Sequence, residues 1–323
     1  MTEFSSDRRA VLAGGVSAAG LVLLSGCSES GGSPGGHPRN ASEAAVPDDQ
    51  IAAYVQSWDS AKELRQQHAD LVQAHPGLAK LYFAFGEPDQ QGNIHMPEMD
   101  PDAAAAFTDL VKDLGNLPVA LSVGGYGDET SHQKLLGGWA VALDHPEAFA
   151  QETTKARAKL AGMLGRSVTE IGLDIDFEYP TVAQREKFTS LMNRLRGTLG
   201  TTALTLAMPA HDNQEGYDIS QLEKIVDGIN LMTYAYDNGS GTPKMVVDDV
   251  AAFAAKLKDP SKLIVGYSTD AQNDPLISSP AAMGKIHQAI GGRGIRTGGS
   301  FVWRSNGLSS EALRQLHLGV AAG

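Results

Sequence analysis

Three carboxylates stand at strict alternation in one stretch, Gly172-Leu-Asp174-Ile-Asp176-Phe-Glu178-Tyr-Pro180. Ile171, Leu173, Ile175 and Phe177 fill the gaps. Period-2 alternation with branched and aromatic residues predicts a β-strand that is acidic on one face and greasy on the other. Residues two apart on a strand share a face and lie about 7 Å apart. Pro180 ends the strand just past Glu178, which places the last acid at the C-terminal rim. In a confined pocket such acids cannot all stay ionised, because like charges raise at least one pKa and titration is shared among them. A rim acid kept protonated near neutral pH, beside a carboxylate that stabilises a developing cation, is the requirement of glycoside hydrolysis. Two other readings use the same residues. An exposed strand can carry a solvated acidic face, and aspartates can bind Mg²⁺ for phosphoryl transfer. Metal sites usually gather ligands from several strands, and these acids lie on one, so no metal and no cofactor is expected.

The rest of the chain must hold this strand in place. Residues 51–57, 81–85, 118–123, 203–208, 228–234, 263–267 and 300–303 read as seven further strands. Apolar residues at helical spacing lie between them: Phe107, Leu110, Val111 and Leu114; then Phe149, Thr153, Ala156, Leu160 and Met163; then Phe188, Leu191, Met192, Leu195 and Leu199. Helical stretches are also expected at 61–74, 219–226, 250–257 and 281–290. Eight strand–helix repeats in roughly 275 residues match an α/β fold, the (β/α)8 TIM barrel, in count and size. The connection from Ser268 to Gly299 is too short for a large insertion between strands seven and eight. A doubly wound open sheet would need fewer strands or a nucleotide loop, and no GxGxxG or P-loop follows the first strand.

In a barrel the active site lies at the C-terminal rim of the strands. That rim would carry Glu178 with Asp176 below it, Gly125, Met208, Met232, Tyr234, Tyr267 and Trp303. Acids at a floor with flat rings around it suit a sugar, whose C–H faces stack while its hydroxyls hydrogen-bond. Ser122 reads as a hydrogen-bonding floor residue, since no GxSxG surrounds it. His95, His132 and His211 are placed in or after loops, without metal spacing, and take no role.

Composition narrows the partners. Of 323 residues, 42% are hydrophobic and 20% charged, an ordinary globular balance, and the net charge is −12. Such an acidic domain does not attract phosphate backbones, so no nucleic-acid partner is expected. The N-terminus reads as an export address. Arg8-Arg9 precede an apolar run from Ala10 to Leu24 that is short for a membrane span and has signal-peptide proportions. Leu24-Ser-Gly-Cys27 resembles the lipobox of bacterial lipoproteins, in which Cys27 would be lipid-modified, and the Ser6–Leu12 run resembles a twin-arginine signal. Residues 1–27 are thus a leader and 28–48, rich in Ser, Gly and Pro, a flexible tether. The folded domain spans 49–323. Cys27 is the sole cysteine, which excludes an intrachain disulfide. The expected location is outside the cytoplasm, lipid-anchored to the outer face of the cytoplasmic membrane or secreted. The anchor is the only expected membrane contact, and the chain is expected to be a monomer.

Several motifs together resemble glycoside hydrolase family 18, the chitinases and their relatives. The 172–180 stretch is similar to the family's DGxDxDxE motif, followed by Tyr-Pro, in all but its first position. Ser122-Val-Gly-Gly125 is similar to its SxGG motif, Met232-Thr-Tyr234-Ala235 to its Met-x-Tyr-Asp motif, and Trp303 to its tryptophan on strand eight. Trp58 and Phe85 fall where the family has aromatics on strands one and two. The resemblance covers about residues 50–320. It implies that Glu178 is the general acid/base and that the substrate's own N-acetyl carbonyl, rather than an enzyme group, attacks the anomeric carbon. Asp176 would orient that acetamido group, Tyr234 would hydrogen-bond its carbonyl, Asp174 would tune Asp176, and Trp303 would lie under the reacting sugar. Phe85, Gly125, Tyr126, Met208 and Met232 would complete the substrate site. The implied substrate is chitin or another N-acetylglucosamine-containing oligosaccharide, cut with retention. The alternatives are an endo-β-N-acetylglucosaminidase and a chitin-binding lectin-like barrel.

Three positions depart from the pattern. Ile171 replaces the first Asp, at a parity opposite to the acids, so support rather than chemistry is affected. Tyr126 replaces the tryptophan often found after SxGG. Ala235 replaces the Asp after Tyr234; Asp237, two residues on and of the same strand parity, is a candidate to compensate, and the more expected outcome is that the carboxylate is lost. The short connection between strands seven and eight predicts a shallow, open cleft and endo-type cutting.

Overall fold

The computed structural model describes residues 51–74, 78–127, 129–211 and 214–320. The proposed leader, Cys27 and the tether lie outside the described residues. Eight parallel strands close into a barrel in the order β1 (Ile51–Gln56), β9 (Ser300–Trp303), β8 (Leu263–Ser268), β7 (Gly228–Met232), β6 (Leu204–Pro209), β5 (Ile171–Asp176), β4 (Val119–Gly124) and β2 (Leu78–Pro88), with β1 pairing back to β2. A two-residue strand, β3 (Ile94–His95), pairs antiparallel with the end of β2 outside the barrel. The expected (β/α)8 architecture is therefore the observed one. Residues 269–299 hold a loop and one helix, α8 (Pro280–Gly292), with no inserted domain.

Helices pack around the outside of the barrel by their apolar faces. In α5 (Arg185–Leu199) the buried residues are Phe188, Leu191, Met192, Leu195 and Leu199, as the spacing predicts. In α4 (Pro146–Leu164) Phe149, Thr153, Ala156 and Leu160 are buried, but Met163 in the last turn is only partly so. Helix α2 (Pro101–Asp113) starts where its sequence says it should. The Asp100 side chain accepts from the amides of Asp102 and Ala103, and Pro101 follows as a first-turn residue that needs no donor. The outward face of β5, continued by Phe177 just past its end, shows how strand and shell fit. Phe177 stacks on Trp139 with centroids 4.6 Å apart and meets Phe188 edge-on at 5.5 Å. Ile171 is fully buried on that same face, and the Arg157 Nε donates to its carbonyl.

Two helices were not expected, α3 (Glu129–Asp144) and α9 (Ser310–Val320). Gly137-Gly138, poor helix formers, hide α3 in the sequence. The fold requires small residues there: a Cβ on Gly138 would come within 2.2 Å of the Pro88 carbonyl oxygen. Helix α3 also corrects the placement of His132, which lies on this helix and is buried. No helix among the described residues is long and apolar enough to cross a membrane.

Candidate active site

Strand register assembles the polar centre of the barrel. Ser122 on β4 is level with Asp174 on β5, and Asp174 is level with Thr205 on β6. These three inward side chains therefore share one layer. Asp174 is fully buried and accepts from Ser122 Oγ at 2.7 Å, Tyr54 Oη at 2.9 Å, Thr205 Oγ1 at 2.6 Å and Asn230 Nδ2 at 3.1 Å. Burial pushes the Asp174 carboxyl up from its ordinary value; the hydrogen bonds from Thr205, Ser122 and Tyr54 and the charge of Lys80 only partly offset it. Burial, followed by the charge of Asp174, pushes the Tyr54 hydroxyl well up, so it remains a donor. Tyr54 stacks on Tyr82 at 4.5 Å, and Tyr82 Oη lies 3.4 Å from Asn230 Oδ1. Tyr54, Thr205 and Asn230 were not singled out in the sequence. Their signal was legible, however: a polar group at an inward position of an otherwise apolar strand must find a partner.

Above this layer lies a cleft lined by Asp176, Glu178, Tyr234, Met232, Phe85 and Trp303, with Tyr54 and Ala207 beneath. The structure thus brings together six of the expected residues. Met208 is an exception. It is fully buried, one residue on from Ala207 on β6, and alternation along the strand gives the cleft position to Ala207. Tyr267 is buried too, with its hydroxyl 3.3 Å from His287 Nδ1 and outside the cleft lining. Trp303 meets Tyr54 edge-on at 5.6 Å and stacks near-parallel with Phe85 at 5.6 Å, and Phe85 lies 6.2 Å from Trp58. Trp58 is 51% exposed, an unusual setting for so large an apolar ring, and it carries the aromatic row outward from the floor. On another side Tyr126 stacks on His132 at 4.0 Å and meets Tyr179 edge-on at 6.1 Å.

The backbone around the acids is tightly held. Gly125 N–H donates to the Asp176 carbonyl at 2.9 Å, and the Gly125 face is filled by the Phe85 ring. Gly124 has φ 124°, and a Cβ there would fall 2.0 Å from the Asp176 carbonyl oxygen. Gly124→Ala is expected to destabilise the domain by roughly 3 kcal/mol, read as a lower denaturation midpoint; a midpoint equal to wild type would refute this close approach. Glu178 is bracketed by Tyr217, whose hydroxyl donates to the Phe177 carbonyl at 2.7 Å and accepts from the Tyr179 amide at 3.3 Å. Burial holds the Tyr217 hydroxyl protonated. Tyr179, next to Glu178, has φ 67°.

The position after Tyr234 carries no carboxylate of its own, since Ala235 stands there. Asp237 is exposed, at the start of a 3₁₀ turn, and does not replace the missing carboxylate. Asp274, from the loop after β8, does approach: its Oδ1 accepts from the Ala235 amide at 2.8 Å. Among the described residues no group of His, Cys, Asp or Glu has the arrangement of a metal site.

Comparison with known proteins agrees with this geometry. Residues 50–293 match the model of the glycosyl hydrolases family 18. A 114-residue stretch is 32% identical to Chitinase 1 of Aphanocladium album; it spans 31% of this chain and only 27% of that protein's length. Among solved structures, the chain resembles a family 18 chitinase from Flavobacterium johnsoniae (TM-score 0.61, 17% identity, 86% of this chain and 94% of that one). It also resembles a family 18 chitinase from Cycas revoluta solved with (GlcNAc)4 (TM-score 0.64, 17% identity, 85% and 100%). At such identities these structures speak for the barrel itself. With the family match covering most of the barrel, the chain belongs to the glycosyl hydrolases family 18.

Proposed function

We propose that this barrel is a chitinase that hydrolyses β-1,4 linkages between N-acetylglucosamine units by substrate-assisted, retaining catalysis. One observation carries the reading: the carboxylates lining the cleft, Asp176 at the end of β5 and Glu178 two residues beyond it, come from one stretch of chain on one side of the cleft. A two-carboxylate retaining scheme needs its acids flanking the scissile bond about 5 Å apart, one on each side of the sugar. With both acids on one side, the nucleophile is the substrate's own acetamido oxygen. Glu178 protonates the leaving oxygen and then takes a proton from the attacking water. Asp176 holds the acetamido N–H, and Tyr234 donates to its carbonyl. Asp174 sits below as the fixed end of the row, and Trp303 supports the sugar ring from beneath.

The relatives named as chitinases favour this substrate over other N-acetylglucosamine glycans. The row Trp303–Phe85–Trp58 favours an open cleft that binds several sugars and cuts within the chain. Export and lipid anchoring through Cys27 belong to the same proposal, since chitin is met outside the cell.

The test is the product pattern of the domain on penta- and hexa-N-acetylchito-oligosaccharides. Internal cleavage into dimers and trimers is expected; release of monomer alone from one end, or no turnover, would contradict it. Trp58→Ala is expected to raise KM for the hexamer about tenfold, in line with about 1–1.5 kcal/mol for one exposed stacking ring, while the trimer is little affected. An equal effect on both lengths would remove Trp58 from the substrate path.

A further inference from the structure

Ala235 follows the cleft residue Tyr234 and has φ 57°. A non-glycine residue holds that conformation only where its surroundings fix it. The sheet does not fix it: β7 pairs with β8 only as far as Leu231 and with β6 only as far as Met232. Among the contacts that hold residues 233–236 are three side-chain hydrogen bonds to other parts of the barrel. Thr233 Oγ1 donates to the Gly266 carbonyl, Tyr236 Oη donates to Asp249 Oδ2 at 2.8 Å, and the Ala235 amide donates to Asp274 Oδ1 at 2.8 Å. The last acts on the main chain directly after Tyr234.

Asp274 is firmly placed to do this. It is 2% exposed, and its own amide donates to the Asp270 carbonyl at 2.8 Å, closing one turn. The loop that carries it is tied at its other end to the residue after Trp303. Arg304 Nη1 meets Asp270 Oδ2 at 3.2 Å, and Thr269 Oγ1 donates to the Arg304 carbonyl at 2.9 Å. The loop 269–278 therefore spans from the strand end at Trp303 to the segment just past β7 that carries Tyr234.

We infer that Asp274 is a positioning residue for Tyr234: by holding the Ala235 amide from the loop 269–278, it sets where the Tyr234 hydroxyl stands relative to Trp303. The role rests on the proposed function, in which Tyr234 donates to the acetamido carbonyl. The hydrogen bond is short, at 2.8 Å, and is made by a side chain that is itself buried.

A double-mutant cycle tests it with the full domain: wild type, Asp274→Ala, Tyr234→Phe and the pair, each first checked by its melting curve. Asp274→Ala is expected to lower kcat on chitopentaose about 10–100-fold, the scale of a small misplacement at a reacting centre, with KM within about threefold. In the Tyr234→Phe background the further loss should be under about threefold, because the group being positioned is already gone. Asp274→Asn, which keeps an acceptor oxygen, should recover most of the loss. If Asp274→Ala does not fold, Asp274→Ser takes its place, polar but too short to reach the amide. Turnover by Asp274→Ala within twofold of wild type, or losses that multiply fully in the pair, would overturn the inference. A wild type that turns over no oligosaccharide overturns the proposed function instead. The cycle is then read on chitopentaose affinity by calorimetry: non-additive weakening supports the role of Asp274, and independent effects overturn it.

Discussion

Glu178→Gln is expected to lower kcat on chito-oligosaccharides by about 10²–10⁴-fold with KM changed only a few-fold. Glu178 is 3% exposed and lines the cleft. Tyr217 fixes the main chain on both sides of it. Gln fills the same volume and keeps an acceptor oxygen, so binding should persist, but it has no proton to give the leaving oxygen. An aryl glycoside with a good leaving group needs that proton less, so its loss should be smaller. Rates for the two substrates, measured side by side on both proteins, check the claim. Equal losses on both would mean that Gln disturbs the site rather than the proton transfer. Undiminished turnover of the oligosaccharide would remove Glu178 from the chemistry.

The largest expected effect on stability comes from Asp174. Asp174→Ala leaves the donors of Tyr54, Ser122, Thr205 and Asn230 without their shared acceptor in the middle of the barrel. Each buried donor left unmet costs about 1–3 kcal/mol. Asn230 Nδ2 already lies 2.9 Å from Tyr54 Oη, so part of the network can close on itself. A net loss of about 3–5 kcal/mol follows, read from urea midpoints, and a loss under about 1 kcal/mol would contradict the network.

The pH dependence at this site has a definite sign. Burial raises the folded-state pKa of Asp174 above its unfolded value, so between the two values the native state binds more protons than the unfolded one. Stability from this group is fully present below the unfolded pKa and is lost as pH rises through the folded one. Asp174→Asn cannot titrate. The stability of wild type minus that of Asp174→Asn should therefore fall as pH rises from about 4. A flat or rising difference would mean the carboxyl is not raised.

What the sequence revealed follows from the range of the forces involved. Alternation along β5 and the turn at Gly124-Gly125 are local, and the acidic row and the SxGG motif were legible for that reason. The eight strands were legible because each carries its own short apolar run. The partners of Asp174 were not, since Tyr54, Thr205 and Asn230 meet it only through barrel closure and register across strands 31–120 residues apart. Met208 lies near the C-terminal end of β6, where a rim residue is expected, but its parity takes it away from the cleft. Thr205, polar and inward, would have assigned the next inward position to Ala207. Asp237 is near Ala235 in sequence and shares its strand parity, whereas Asp274 arrives from another loop, 39 residues away. Helix α3 was hidden by two glycines whose purpose, close approach to the Pro88 carbonyl, exists only in three dimensions.

The central claim, that the substrate's acetamido group is the nucleophile and Glu178 its acid and base, meets its most direct test in the configuration of the first product. Proton NMR of chitotetraose hydrolysis, recorded before mutarotation, should show the new reducing end as the β-anomer, which then decays toward equilibrium. An α-anomer appearing first would mean a single inversion by water, and it would contradict the mechanism.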